Sequence, residues 1–387
     1  MNPRGLVVRW LALCALLPCV GMAQVRGVSD KEIVLGSYSD LSGIGASWGS
    51  ASANAMRLRF DEVNARGGIH GRRLRLVVED HGYQVPRAVQ AVAKLIQRDQ
   101  VFAIIGAVGT PMINAAMPQQ LQAGVPNLFP FSFARSILEP PQRLVFQTYP
   151  TYYAQIQAGV RYFARSRGRK AICLMYQDTD YGREIADAVR DTLKGLGSAP
   201  KAITAHAPTE TDFNAAIAKL KGAGCDLVVL GTVIRDTILP YAAARRMGWD
   251  VDFLGALTSF DLNVSEAPNG ATEGLYAMSA FDPAYPDAPL VATRDWAAQY
   301  IARFKSRPNI ASQMSYIGAD LLVQALEKAG RDLTVDKLIA AMESIQAYRD
   351  PFGGPLLGFG QGKHTGTRQL ILQQVHGGRW VRVADQL

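Results

Sequence analysis

The sequence predicts an α/β protein of two lobes, each built on a doubly wound parallel sheet. Apolar strand segments alternate with amphipathic helix segments in two series, the first ending near residue 148 and the second starting at 149. The chain has 387 residues, which is more than one ordinary core accommodates and enough for two. Ligands bind at the carboxyl ends of the strands in such sheets, so two facing lobes would enclose a cleft.

The first strand–helix–strand unit shows the pattern most clearly. Residues Glu32–Ser37 form an apolar strand segment, and apolar side chains at i, i+4 and i+7 predict an amphipathic helix over Ser50–Arg66. Gly67 and Gly68 then end this helix, because glycine adopts the left-handed conformation there without a Cβ clash. The alternation in RLRLVVED, which follows, predicts a second strand parallel to the first.

The alternation continues through both series. Further strands are predicted at Val101–Gly106, Pro126–Phe131, Val145–Tyr149, Ala171–Tyr176, Lys201–His206 and Asp226–Thr232. Helices are predicted at Arg87–Gln100 and Pro111–Ala123, and around Ile156–Phe163, Ile185–Leu193 and Phe213–Leu220. Three later helices complete one of the lobes and are predicted around Trp296–Phe304, Ile317–Ala329 and Leu338–Ile345.

Residues 1–23 have the pattern of a cleaved export signal. Arg4 and Arg9 supply a positive start, Trp10–Val20 supply a short apolar core, and small residues precede a cleavage point near Ala23. The apolar core is too short for a membrane-spanning helix, which needs about 20 residues. Cys14 and Cys19 follow leucine and proline rather than a small residue, so a soluble exported protein is favoured over a lipid-anchored one.

Two cysteines remain in the exported chain, Cys173 and Cys225. Export makes a disulfide between them chemically possible, and two buried free thiols are at least as compatible with the sequence. The net charge of +8 is spread along the chain, and its densest basic run, Arg165–Lys170, lacks the aromatic side chains that stack on bases. The sequence therefore does not favour nucleic-acid binding.

The sequence does not carry the motifs of common enzyme sites. There is no GxGxxG after a strand, no GxSxG and no HExxH. The segment GFGQGK at Gly358–Lys363 lacks the first glycine and the hydroxyl residue of a phosphate-binding loop. We therefore expect a binding protein, with no cofactor and no metal, rather than an enzyme.

Three loops at strand ends are candidates for binding a ligand. The first, LSGIGASWG at Leu41–Gly49, presents Trp48 as a flat apolar wall among glycines, although Trp48 could instead belong to the core. The second, GAVGTP, opens a helix, and Thr110 is expected at its N-cap with Pro111 at the first helical position. Free N–H groups at such a start favour a carboxylate. The third is FPFSF at Phe129–Phe133.

An ordered series of segments resembles the periplasmic binding proteins typified by the leucine/isoleucine/valine-binding protein. The segments are SYSDLSGIGASWG, NARGGIHGRRLRLVVED, FAIIGAVGTP, GVPNLFPFS, MYQDTDYGRE, TETDFNAAIAKLKGAGCDLVVLG and ATEGLYAMSAF. The resemblance implies two lobes of the type I fold joined by three crossovers, a periplasmic location, a monomer, ligand capture by hinge closure, and delivery to a membrane ABC permease. It implies lobe 1 at residues 30–148, completed by about 278–366, and lobe 2 at 149–277, completed by about 367–387.

The resemblance also implies where the ligand binds. The family's first-loop aromatic corresponds to Trp48, and the hydroxyl that holds a ligand carboxylate corresponds to Thr110, next to Gly109. The remaining positions that it assigns to the cleft are Phe131, Ser132, Phe133, Tyr152 and Tyr181. A second family hydroxyl falls on Phe133, where the neighbouring Ser132 could replace it.

The second lobe departs from the amino-acid binders of this family. The acid that holds the ligand's ammonium falls on Leu257, and its companion tyrosine falls near Val233. Asp261 and Asp236 lie nearby but fit better at helix starts. We therefore expect a small carboxylate without an α-ammonium group, aromatic or branched aliphatic. The alternatives are a branched-chain or other amino acid, and a sensor subunit of a signalling system.

Overall fold

A computed structural model describes residues 25–385 and 387. The predicted export signal lies outside these residues. The described chain forms two lobes, each on its own sheet, and this arrangement confirms the predicted fold class. None of the helices in the described part is long and apolar enough to cross a membrane.

The sheet of the first lobe is parallel throughout. Its strands are β1 (Glu32–Ser39), β2 (Arg73–Asp80), β3 (Ala103–Ile105), β4 (Asn127–Leu128) and β5 (Val145–Phe146). They lie in the order β2-β1-β3-β4-β5. The helices that follow the first four strands are α1 (Ala46–Ala65), α2 (Val85–Gln97), α3 (Thr110–Gln122) and α4 (Arg135–Leu138).

The sheet of the second lobe has a parallel part and an antiparallel edge. Its strands are β6 (Ile172–Gln177), β7 (Ile203–His206), β8 (Leu227–Gly231), β9 (Asp252–Gly255), β10 (Tyr276–Ser279), β11 (Ile371–His376) and β12 (Arg379–Asp385). Strands β6 to β10 pair in parallel, whereas β11 and β12 pair antiparallel. The helices of this part are α5 (Tyr152–Ser166), α6 (Asp180–Gly195), α7 (Asn214–Gly222), α8 (Ile234–Arg246) and α9 (Leu262–Ser265).

The chain passes between the lobes three times. It leaves the first sheet after β5 and returns after β10 through α10 (Val291–Phe304), α11 (Ile310–Ala329) and α12 (Val335–Glu343). Helix α11 packs on α1, where the hydroxyls of Ser52 and Ser315 lie 2.6 Å apart and Arg59 donates to Asp320 at 2.7 Å. The chain then enters β11 of the second sheet. The residue bounds predicted for the two lobes stay a prediction.

The corner between α1 and β2 is built as the sequence indicates. Gly67 and Gly68 have φ of 98° and 76°, in the left-handed region. A Cβ at Gly68 would lie 2.1 Å from the carbonyl oxygen of Arg72, so a side chain does not fit there. The chain can therefore reverse within a few residues and place β2 beside β1.

Helix α1 begins four residues earlier than predicted. The carboxylate of Asp40 accepts the backbone N–H groups of Gly43 at 2.6 Å and Gly45 at 2.7 Å, and these bonds close the turn after β1. The helix therefore starts at Ala46 and carries Trp48 on its first turn, not in a loop.

Cys173 and Cys225 form a disulfide in the described structure. Cys173 lies on β6, and Cys225 lies two residues before β8, the neighbouring strand. Both residues are buried. The bond ties β6 to the residues just before its neighbour β8, and the two cysteines are separated by 52 positions in the chain.

We expect loss of this disulfide to destabilise the protein. Closing a loop of this length removes entropy from the unfolded chain worth about 4 kcal/mol in the chain-entropy treatment. Denaturant unfolding of Cys173→Ala/Cys225→Ala against the oxidised wild type measures the difference. Reductant should lower the midpoint of the wild type and leave that of the double variant unchanged; equal midpoints for both proteins would contradict the prediction.

Candidate ligand-binding cleft

The facing edges of the two lobes enclose a small cavity. Ten residues line it, from strand ends and helix starts of both lobes: Trp48, Tyr83, Val108, Gly109, Thr110, Phe131, Tyr152, Tyr181, Val233 and Thr258. The cavity measures ≈ 20 Å³, which is room for about one water molecule. All ten residues are uncharged, so the lining meets a ligand with hydroxyls, backbone groups and aromatic rings.

Seven of the ten predicted site residues line this cavity: Trp48, Gly109, Thr110, Phe131, Tyr152, Tyr181 and Val233. Their contact with a ligand stays a prediction. The sequence analysis missed Tyr83, Val108 and Thr258. The carboxyl-end rule could have found Tyr83, which follows β2, and Val108 lies in the GAVGTP loop already singled out.

The wall from the first lobe centres on the start of α3. The predicted N-cap was wrong: Gly109, with φ of 97°, takes that position, and Thr110 is the first helical residue. The Thr110 hydroxyl is free of the capping role and lies 2.7 Å from the hydroxyl of Ser132. The first-turn N–H groups of a helix have no intrahelical partners and carry partial positive charge, so this corner favours an anion.

Ser132 and Phe133 lie behind the wall rather than in it. Ser132 is fully buried, and its hydroxyl is bonded to that of the lining residue Thr110. Phe133 packs edge-on against Tyr152 at 5.5 Å between ring centroids and contacts Phe131 at 6.4 Å. Its ring therefore supports two lining residues from the protein side.

Aromatic rings line the cavity from both lobes. Trp48 packs against Phe131 with ring centroids 5.4 Å apart, and Tyr152 packs against Tyr181 at 4.9 Å. Burial raises the pKa of the Tyr152 and Tyr181 phenols well above the ordinary value. Both phenols are therefore neutral at physiological pH and serve as hydrogen-bonding groups with apolar faces.

The second lobe presents hydroxyls at the cavity, and no acid occupies the Leu257 position. The Tyr181 hydroxyl hydrogen-bonds with that of Thr258, and both lie near the carbonyl oxygen of Thr232, at 3.2 and 3.1 Å. Leu257 is buried outside the cavity, and its backbone N–H donates to Oε1 of Gln155 at 2.9 Å. The next residue, Thr258, faces the cavity instead.

Two buried carboxylates near the cavity lie at helix starts, as the sequence predicts. Asp261 is the N-cap of α9 and accepts from the Asn263 backbone at 2.8 Å. Asp236 lies in the first turn of α8 and accepts from Nε2 of His206 at 2.8 Å and of Gln177 at 3.3 Å. Its second oxygen has no partner among the described residues.

Similarity to known proteins identifies the family of this chain. The family model for periplasmic binding proteins matches residues 32–379. The chain belongs to the periplasmic binding proteins. A curated relative from Pseudomonas aeruginosa, the leucine-, isoleucine-, valine-, threonine- and alanine-binding protein, is 24% identical over 349 residues, 90% of each chain.

Two solved structures with the same fold concern carboxylic acids. One protein is named for fatty acids, and the other was solved in complex with benzoate. The fatty acid ABC transporter substrate-binding protein from Thermomonospora curvata superposes with a TM-score of 0.83 at 26% identity, covering 94% of each chain. An ABC transporter solute-binding protein from R. palustris in complex with benzoate has a TM-score of 0.77 at 18% identity, covering 92% of this chain and 96% of its own.

In this periplasmic binding protein the two lobes contact each other around the cavity. Trp48 of the first lobe donates from Nε1 to Oδ2 of Asp261 in the second, at 3.0 Å, and both groups are buried. The backbone N–H of Arg135 donates to the Glu184 carboxylate at 2.9 Å, and Asn114 donates to Asp180 at 2.9 Å. The described conformation is therefore closed, with bonds between the lobes on more than one side of the cavity.

We expect the Trp48–Asp261 bond to hold the lobes together. Trp48→Phe keeps an aromatic ring but leaves the buried Asp261 oxygen without its donor, which costs about 1–3 kcal/mol in the closed form. Small-angle scattering of the ligand-free variant should show a larger radius of gyration than that of the wild type.

Trp380→Phe is the matched control for this change. Trp380 donates to the backbone oxygen of the same Asp261 at 2.9 Å, but within the second lobe. Its loss should leave the scattering curve unchanged. Superimposable curves for Trp48→Phe and the wild type would contradict the prediction.

Proposed function

We propose that this periplasmic binding protein is the substrate-binding component of an ABC uptake transporter, and that it captures a small carboxylate without an α-ammonium group. The observation that carries the proposal is the uncharged lining of the cavity between the lobes. An amino acid brings an ammonium that needs a carboxylate partner, since burying an unpaired charge costs several kcal/mol. A simple carboxylate needs only donors.

The donors for the carboxylate lie at the start of α3. Gly109 and Thr110 line the cavity, the helix is 13 residues long, and the Thr110 hydroxyl is paired with Ser132. Backbone N–H groups, the helix dipole and a hydroxyl together match a carboxylate without a cationic side chain. We place the ligand's charged end there.

The aromatic residues fit the body of the ligand. Trp48 and Phe131 form one wall, and Tyr152 and Tyr181 form the opposite one. Rings and branched aliphatic groups both gain from burial against such surfaces, at about 25 cal/mol per Å² of apolar area. An aromatic or branched aliphatic acid therefore fits this lining.

The ligand enters by opening of the lobes. A cavity of ≈ 20 Å³ does not hold an organic acid, so the rings must separate before it binds. The ligand then bridges the lobes and stabilises a closed form that differs from the open one in its contacts. Closure around a ligand gives a membrane ABC permease a state to recognise, and export through residues 1–23 places a monomeric protein in the periplasm.

The similar proteins support the proposed carboxylate ligand and also a rival ligand, an amino acid. The benzoate complex and the fatty-acid binding protein concern acids without an α-amino group, and the second is 26% identical to this chain. The Pseudomonas aeruginosa relative is named for amino acids. One observation favours the rival: Asp236 has an oxygen without a partner among the described residues. Burial and, to a lesser extent, the charge of Asp236 raise the pKa of Tyr83, which lines the cavity. That oxygen of Asp236 is the group that would pair with an ammonium.

A thermal-shift panel of matched pairs tests the proposal. A ligand that binds only the folded protein raises its unfolding temperature. We expect stabilisation by benzoate, 3-phenylpropanoate or 4-methylpentanoate, and none by phenylalanine or leucine. Stabilisation by the amino acids but not by their deaminated analogues would refute the carboxylate proposal, and Asp236→Asn should then abolish the shift.

Thr110→Val tests the carboxylate end within the same panel. Valine keeps the shape and removes the hydroxyl, and the lost charge-assisted hydrogen bond is worth about 1.5–3 kcal/mol. Affinity for the stabilising acid should fall roughly 10- to 100-fold by calorimetry. Unchanged affinity would remove Thr110 from the site.

Ligand binding should also take up a proton through Glu184. Burial between the lobes raises the pKa of Glu184 from 4.5 to about 7. If opening exposes this carboxyl, its pKa returns toward 4.5, and the closed form binds the proton more tightly. Closure is then favoured as the pH falls from about 7 toward 4.5, and this contribution is lost as the pH rises through 7.

Calorimetry at pH 7, where His81 is neutral, in two buffers of different ionisation enthalpy measures this proton. The apparent binding enthalpy should differ between buffers for the wild type and agree for Glu184→Gln, which retains an acceptor for the Arg135 N–H. Buffer-independent enthalpies for the wild type would show that Glu184 does not change its environment on closure.

A further inference from the structure

His81 is a buried histidine that does not line the cavity but contacts two residues that do. It follows β2, and it is fully buried. Its ring lies 6.3 Å from that of Tyr38 and is bonded through both nitrogens. Each of these bonds ends on the backbone of a lining residue, Tyr83 or Val108.

The two bonds determine which nitrogen carries the proton. The backbone N–H of Tyr83 lies 3.1 Å from Nδ1, and an N–H can only donate, so Nδ1 is the acceptor. The proton is therefore on Nε2, which donates to the Val108 carbonyl oxygen at 3.0 Å. His81 is a neutral imidazole that links two backbone segments.

Both segments need an external support. Tyr83 has φ of 57°, in the left-handed region, which a bulky side chain adopts only where the surroundings impose it. Val108 directly precedes Gly109, the N-cap of α3, whose φ is 97°. The histidine thus holds the Tyr83 ring and the proposed carboxylate corner in a fixed relation.

The pKa of His81 depends on its burial and on the charged groups around it. Burial lowers the pKa of His81, Arg87 on α2 acts in the same direction, and Asp40 and Asp80 act against it. The oxygens of Asp40 are bonded to Gly43 and Gly45. The neutral form is therefore the one present near pH 7.

We propose that His81 is a positioning residue of the ligand cavity, whose neutral Nε2–H form holds Tyr83 and Val108 in place and whose protonation on Nδ1 releases Tyr83 and weakens ligand binding. The inference rests on the proposed binding of a ligand between the lobes. Protonated Nδ1 would set an N–H against the Tyr83 N–H, so the bond becomes a repulsion. The resulting loss of affinity at acid pH is opposite in sign to the effect of Glu184.

Two substitutions separate the two bonds. His81→Asn places an oxygen near the position of Nδ1 and can accept from Tyr83, but it is too short to reach Val108. His81→Gln places an amide N–H near the position of Nε2 and can donate to Val108, but it leaves Tyr83 unsupported. Each variant should bind benzoate or 3-phenylpropanoate at least about 5-fold more weakly at pH 7.5, because one buried bond is lost.

The pH profile distinguishes positioning from simple destabilisation. The affinity of the wild type relative to that of each variant should fall as the pH drops from 7.5 to 5.0, since the variants have no imidazole at position 81 to protonate and all three proteins keep Glu184. His376→Gln, an exposed histidine paired with Glu273, is the control and should follow the wild type. Circular dichroism and thermal unfolding at pH 7.5 verify the fold of each variant.

Nitrogen-15 NMR of histidine-labelled wild type measures the tautomer and the protonation of His81 directly, without any substitution. We expect the Nε2–H tautomer for His81, and its protonation should follow the same pH range as the loss of affinity. Wild-type affinity and pH profile in both variants, or an Nδ1–H tautomer, would overturn the inference while leaving the proposed function intact. A wild type that binds no acid in the panel would refute the proposed function. The NMR measurement of the His81 tautomer would still test the link between Tyr83 and Val108, because it needs no ligand.

Discussion

Parallel strand order is the constraint on which the rest of this molecule depends. In a parallel sheet all carboxyl ends lie at one edge, so the loops after the strands converge without further design. Trp48, Tyr83 and Phe131 follow three different strands of the first lobe, and Tyr181 and Thr258 follow two strands of the second. Because the sheets face each other edge to edge, residues separated by up to 210 positions meet in one cavity of ≈ 20 Å³.

The buried acids of the cleft show how charge is managed at that edge. Asp40 accepts two backbone N–H groups, Asp261 caps a helix and accepts from Trp48, and Asp236 accepts from His206 and Gln177. These carboxylates accept hydrogen bonds from the protein, Asp236 through one oxygen only, and the cavity lining itself is uncharged. A ligand carboxylate must then be met by dipoles, and the dipoles at the start of α3 have the sign that suits an anion.

The sheets and helices could be predicted because apolar periodicity and glycine stops act locally, but side-chain direction at strand ends could not. Leu257 and Thr258 are neighbours, yet only Thr258 faces the cavity. The sequence predicts Thr110 as the N-cap of α3, but Gly109, with its positive φ, occupies that position. The Cys173–Cys225 bond depends on β8 lying beside β6. The number of residues between the two cysteines does not reveal that these strands are neighbours.

The closed form described here fills its own cleft, and this affects how tightly any ligand can bind. Aromatic rings lie between the lobes, and Trp48 of the first lobe donates a hydrogen bond to Asp261 of the second. A ligand must therefore compete with the protein's own contacts. Its apparent affinity reflects the difference in free energy between the closed form with ligand bound and the closed form without it. Contacts that both arrangements share add nothing to that difference. Selectivity is then governed by the groups that only a ligand satisfies, and the start of α3 is the most strongly polarised of these.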